Sequence, residues 1–197
     1  MNLSFFLFYC LLMTITPGPN NIMILSTVHN HGIQKALQFC YGSTVAFGMI
    51  LTLSALLNSM LAKILPSIIF VMQWIGSIYI LYLAYQVARM DNAFTSKNEF
   101  GSFKAGFFVQ VVNPKGILFC ITIFPSFIMP YYTSYDTLMF FVCIITAIGA
   151  FSFFSWIVFG NLITRFLHHY KKSINFIMAL FLLYTAIIIS GILDYIE

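Results

Sequence analysis

Charge is what this chain has least of. Across 197 residues only 7% are Asp, Glu, Lys or Arg, five of them acidic, while 61% are hydrophobic and the mean hydropathy is +0.96. A soluble globule of this length would leave far too much apolar surface facing water, so that class is excluded. The scarcity also removes the basic, aromatic-interleaved surface on which a nucleic acid could dock, and no nucleic-acid partner is expected. None of the four cysteines forms a Cys-x-x-Cys pair, and His29 and His31 have no metal-ligand company, so neither a metal nor a cofactor is expected. The start carries no basic residue and no small-x-small cleavage site before Thr16, so the first apolar run reads as a retained helix and not a cleaved signal.

What is present is length without charge. Runs between charged residues cover 1 to 34, 36 to 62, 64 to 88, 105 to 135 (interrupted only by Lys115), 137 to 164 and 173 to 193. Each can cross a bilayer core, which takes roughly 20 helical residues. The expected fold is an all-α integral membrane protein of six transmembrane helices, at about 3–28, 34–61, 66–90, 103–130, 136–166 and 171–194. Connections at His29 to Ile33, Ala62 to Leu65 and Pro130 to Tyr135 are too short for a folded extramembrane domain. The one polar linker, Asp91 to Glu99, divides three spans from three. Residues 1–197 thus read as a single transmembrane domain of two halves, about 1–90 and 103–197, joined by a linker at 91–102.

With the N-terminus outside, the inner loops carry Lys35, Arg89, Lys97, Lys104, Arg165, Lys171 and Lys172, seven of the nine basic residues. Lys63 falls in an outer loop, and Asp194 and Glu197 lie outside with the N-terminus. Both termini are therefore expected on the outer face, and the net charge of +4 reports topology. An odd number of spans per half makes the second half run upside down relative to the first, the organisation of an inverted repeat.

Helices 1 and 4, the first of each half, are both broken by proline motifs: Thr16-Pro17-Gly18-Pro19-Asn20-Asn21 and Asn113-Pro114-Lys115-Gly116. Each proline lies about 11 residues from the inner end of its span, which at ~1.5 Å per residue is near the membrane middle. In hydrocarbon an unpaired backbone group costs several kcal/mol, so such breaks persist only where they face protein or a wet cavity. Proline removes a donor and blocks the carbonyl one turn earlier, and Gly18 is expected to take dihedrals closed to other residues. The product is an unwound segment and a new helix N-terminus near Asn20, whose partial positive charge suits a carboxylate. An ordinary packing kink is the plainer reading of one proline, but matching breaks in both halves point to a substrate site.

Lys115 sharpens the assignment, because a lysine at a helix centre costs roughly 2.5–3.5 kcal/mol on insertion scales. The inner interface is ~16 Å away along the helix, beyond the reach of a lysine stem. With no Asp or Glu deep in any span, the expected partner is an anionic group on the cargo. The expected substrate-binding set is Pro17, Gly18, Pro19, Asn20, Asn21, Gln110, Asn113, Pro114 and Lys115. Cargo with a second positive charge would meet Lys115 unfavourably.

Other polar residues carry less. Gln73, Tyr79, Tyr82 and Tyr85 could line a path but read first as interfacial anchors. Gly42, Ala46, Gly48, Gly149 and Gly160 read as close-contact positions between helices. His168 and His169 read as a solvated loop at the headgroups. The alternative from another class is a membrane thiol-disulfide electron shuttle using Cys10 and Cys120, one on each broken helix; burial in apolar runs speaks for inert thiols instead.

The run Thr16 to Ile22, then His31-Gly32, Trp74 to Ala84, and Phe103 to Phe107 followed by Asn113-Pro114-Lys115, resembles the LysE/RhtB amino-acid exporter family over essentially the whole chain. The stretch Ile174 to Tyr184 is similar to the branch with the bacterial cysteine and O-acetylserine exporters. The resemblance implies a multi-pass secondary transporter in the bacterial cytoplasmic (inner) membrane. It would export small neutral amino acids or derivatives, of the cysteine/O-acetylserine or homoserine/threonine type. Its partners would be a small amino-acid substrate and the lipid bilayer, and a homo-oligomer is compatible with it. Many members carry an acid directly after Pro-Gly-Pro, where this chain has Asn20, which puts a simple carboxylate proton relay in doubt.

Overall fold

The computed structural model describes residues 2–89, 101–167 and 171–190. Most of the linker at 91–102, together with His168, His169, Asp194 and Glu197, lies outside the described residues, as does the side chain of Gln73. Among the described residues there is no strand, as befits an apolar chain whose backbone groups must pair within their own segment. The helices are α1 (Leu3–Ile15), α2 (Pro19–His31), α3 (Ile33–Arg89), α4 (Phe103–Val111), α5 (Pro114–Ile123) continued by a π-helical turn (Phe124–Ile128), α6 (Tyr135–Leu167) and α7 (Lys171–Ile189).

Three stretches are long and apolar enough to cross a membrane unaided: Ile33–Leu57, Tyr135–Ile163 and Lys172–Ile189. Two bent pairs add one candidate each, α1 with α2 at 53° and α4 with α5 and its π turn at 63°. Phe8, Phe140, Phe151, Phe176 and Ile177 each expose 60% or more of their surface. So much outward-facing aromatic and aliphatic surface suits acyl chains and would aggregate in water. The coarse fold is therefore an all-α integral membrane protein.

Boundaries differ from expectation in two places. The connection expected at Ala62 to Leu65 is absent; helix runs from Ile33 to Arg89, and its dihedrals break at Leu57 (φ −107°, ψ 16°). In a straight helix Gly42 and Gly76 would stand ~51 Å apart. Yet Gly42 lies against Phe103 and Phe107, and Gly76 against Val112 and Pro114. Five residues span at most ~18 Å even when extended, so the two arms of α3 double back on each other. The second correction is at His29 to Ile33, where α2 continues to His31 and the connection is Gly32 alone. Gly32 adopts φ +83°, a region that favours glycine, and so turns the chain without a loop.

Every residue of α2 from Pro19 to His29 is buried. This short, polar helix is thus the centre of the molecule, encased by α3, α4, α6 and α7. On one flank α3 and α4 cross at very short range through Gly42 and Gly106, where a Cβ would run into the Phe103 and Phe39 carbonyls respectively.

Candidate functional site

Both breaks form as proline chemistry dictates. After α1 ends, Thr16 is extended, Pro17 and Gly18 follow, and Pro19 opens α2 at its first position, where a missing N–H costs nothing. Likewise Asn113 is extended and Pro114 opens α5. Gly18 is a correction: its φ of −167° is ordinary extended backbone, open to any residue. What glycine supplies there is space, because a Cβ would come within 3.2 Å of Lys115 Cδ.

The carbonyls that α1 leaves unpaired are all accounted for. Leu12 O accepts from the Thr16 N–H at 3.1 Å, and Met13 O from the Thr16 hydroxyl at 3.2 Å. Thr14 O accepts from Asn21 Nδ2 at 3.0 Å, and Ile15 O from Trp156 Nε1 of α6 at 3.0 Å. Thr16 O takes both Asn21 Nδ2 at 2.9 Å and Lys115 Nζ at 2.9 Å. Lys115 Nζ also lies 2.7 Å from Thr16 Oγ1 and 3.4 Å from Pro17 O. The ammonium thus has three protein partners, where the sequence reading gave first place to an anionic group on the cargo. The physical reason is that the C-terminal end of α1 carries the negative end of a helix dipole.

These contacts border a cavity of about 30 Å³. At roughly 10–15 Å³ per water, it has room for two or three waters, so cargo requires it to widen. Of the expected residues, Gly18, Asn20, Asn21, Gln110, Asn113 and Lys115 line it. Pro17, Pro19 and Pro114 do not; they shape the two breaks from behind, Pro114 against Gly76. Asn20, Asn21, Gln110 and Asn113 are each 7% exposed or less. Their buried Asn21 Oδ1 and Asn113 Oδ1 have no partner. The Ser43 hydroxyl sits 2.9 Å from Asn20 Oδ1 and 3.1 Å from Gly106 O. One proton cannot serve both acceptors, so a turned Asn20 amide, donating to Ser43, pairs better and leaves a third free carboxamide oxygen.

Sequence reasoning missed Met13, Thr14, Phe47, Gly116, Phe119 and Phe153, which complete the lining. Thr14 is tied to Ser152 of α6 by a 2.7 Å hydroxyl pair. Gly116 leaves room for the Gln110 amide, since a Cβ there would stand 2.7 Å from Gln110 Nε2 and the side chain would have to shift. The missed phenylalanines had no marker in sequence, since a ring in an apolar run looks the same whether it faces lipid or cavity.

Residues 11–190 match the model of the LysE type translocator family. The chain belongs to the LysE family. Relatives include the cysteine/O-acetylserine efflux protein of Salmonella typhimurium (strain LT2), 34% identical over 188 residues, covering 95% of this chain and 96% of the relative. The protein of that name from Klebsiella pneumoniae is 35% identical over 186 residues, covering 94% and 95%. Another from Escherichia coli O139:H28 is 32% identical over 188 residues, covering 94% and 95%. No solved structure matches this LysE family member. As a translocator it is a membrane transporter and not an enzyme. The electron-shuttle alternative gains no support: Cys10 and Cys120 are buried free thiols, and neither lines the cavity. Tyr82 and Tyr85 are exposed, as anchors would be, and neither lines the cavity, nor does Tyr79.

Proposed function

We propose that this chain exports small neutral amino acids or their derivatives, of the cysteine/O-acetylserine or homoserine/threonine type, across the bacterial inner membrane. It would do so as two inverted three-helix repeats, about 1–90 and 103–197, with the second arm of α3 as the sixth span. One observation carries the reading: two half-helix N-termini, of α2 and α5, and one ammonium converge on a single cavity. The N-termini of α1 and α4 are capped by the side chains of Asn2 and Ser102, but those of α2 and α5 have no side-chain cap. Uncapped N–H groups are the ready-made seat for a carboxylate. The free carboxamide oxygens of Asn21 and Asn113 suit the α-ammonium of the same zwitterion.

Lys115 then works by exchange. Its three N–H donors now bind the Thr16 and Pro17 segment, tying the break of one half to the break of the other. A cargo carboxylate competes for those donors with full charge, loosens the tie and lets the narrow cavity widen. The test is uptake of amino acids into everted membrane vesicles. Lys115→Met is expected to cut transport at least tenfold while the carrier still inserts and purifies normally. Transport unchanged by that substitution would remove the site.

A further inference from the structure

The cavity's lining holds two groups of side chains of opposite character. Lys115, Asn20, Asn21, Gln110 and Asn113 form one, and Phe47 of α3, Phe119 of α5, Phe153 of α6 and Met13 of α1 form the other. We propose that the aromatic group is the subsite for the cargo's side chain, and that Gly149, next to Phe47, sets the subsite's size. This rests on the reading of the cavity as an amino-acid site.

The three rings are buried, at 2%, 5% and 4% exposure for Phe47, Phe119 and Phe153. Phe47 stacks on Phe119 at 6.0 Å and meets Phe153 edge-on at 5.9 Å, so it is the shared wall. The rings offer no hydrogen bond, and the Thr14 hydroxyl that also lines the cavity is already engaged by Cys10 O at 2.8 Å and Ser152 Oγ at 2.7 Å, so a charged or strongly polar cargo side chain would be desolvated there with little compensation. A short uncharged chain fits, and a thiol fits better than a hydroxyl, because polarizable sulfur packs well on aromatic edges while an unpaired hydroxyl is penalised. The class is therefore amino acids with short, uncharged side chains, sulfur favoured over oxygen.

Gly149 of α6 is outside the lining, yet a Cβ there would stand 2.5 Å from Phe47 Cε1 and 2.7 Å from Cδ1. A methyl at 149 must displace the Phe47 ring, and since Gly149 is outside the lining that displacement narrows the cavity, while truncating Phe47 opens it. The two changes must shift selectivity in opposite directions.

The experiment uses the full chain in proteoliposomes, measuring kcat/KM for glycine, cysteine, serine and leucine. Wild type is expected to favour cysteine over serine and leucine. Phe47→Ala should raise the leucine-to-cysteine ratio about tenfold, the lower end of what one methylene's fit is worth. Gly149→Ala should shift preference from cysteine toward glycine. Phe153→Leu, a milder change, should move the ratios in the sense of Phe47→Ala. Ratios matter because a carrier that is only destabilised loses active fraction equally for all cargo. Unchanged ratios, or Phe47→Ala and Gly149→Ala shifting them the same way, overturn the subsite. If wild type moves no amino acid at all, the cavity reading itself fails and this inference goes with it.

Discussion

Single side chains hold the broken helices together, and they brace, bind or combine the two. Asn21 does both: it lines the cavity while its amide nitrogen braces, closing two carbonyls, at 3.0 and 2.9 Å, that the helix break leaves open. Asn21→Ala strands the Thr14 carbonyl, at a cost of about 1–3 kcal/mol. We expect a lower unfolding temperature in detergent and reduced transport together. Lys115→Met should divide these effects, with transport falling far more than thermal stability; equal loss in both would make Lys115 a brace too. Prolines and a lone lysine were legible in sequence because each is costly in hydrocarbon and so marks its own depth. The role of Gly18 was not: glycine signals both dihedral freedom and empty space, and only the stem of Lys115 lying across it tells which applies.

Elements meet here through backbone contact as much as through side chains. With little hydrophobic force between helices in lipid, close packing and polar contacts must join them. The α3–α4 crossing supplies both, through Gly42, Gly106 and the Ser43 hydroxyl at 3.1 Å from Gly106 O. A Cβ at Gly106 meets the carbonyl of Phe39, a backbone atom that no rotamer change can move aside. Gly106→Ala is expected to cost about 1–3 kcal/mol as an overpacked contact, read as loss of monodisperse protein at a lower temperature on size exclusion after heating. Survival at the wild-type temperature would show that α3 and α4 can part freely. The reversal of α3 escaped the sequence for a related reason. Lys63, which splits two charge-free runs, marked the expected connection, but the break needs only one residue with non-helical dihedrals, and Leu57, between Leu56 and Asn58, is neither proline nor glycine.

At the scale of the molecule, the two bent pairs repeat one another. In each, the second piece opens with an extended residue, a proline at the first position and no side-chain cap, and Lys115 of one break reaches Thr16 of the other. An inverted repeat brings two such breaks to one depth from opposite directions, while a parallel repeat would need no odd number of spans in each half. The odd number is what can be measured. Ser4 lies on the exposed face of α1, and Ser96 lies in the sequence linker between the halves. In a background with the native cysteines replaced, Ser4→Cys should react with an impermeant maleimide from outside intact cells. Ser96→Cys should react only in everted vesicles, since the basic residues flanking the linker hold it inside. Labelling of both from the same face would mean an even number of crossings between them, and an even number leaves the two halves parallel. The breaks could then still meet, but not as inverted copies, and alternating access by exchange of equivalent halves would lose its geometric basis.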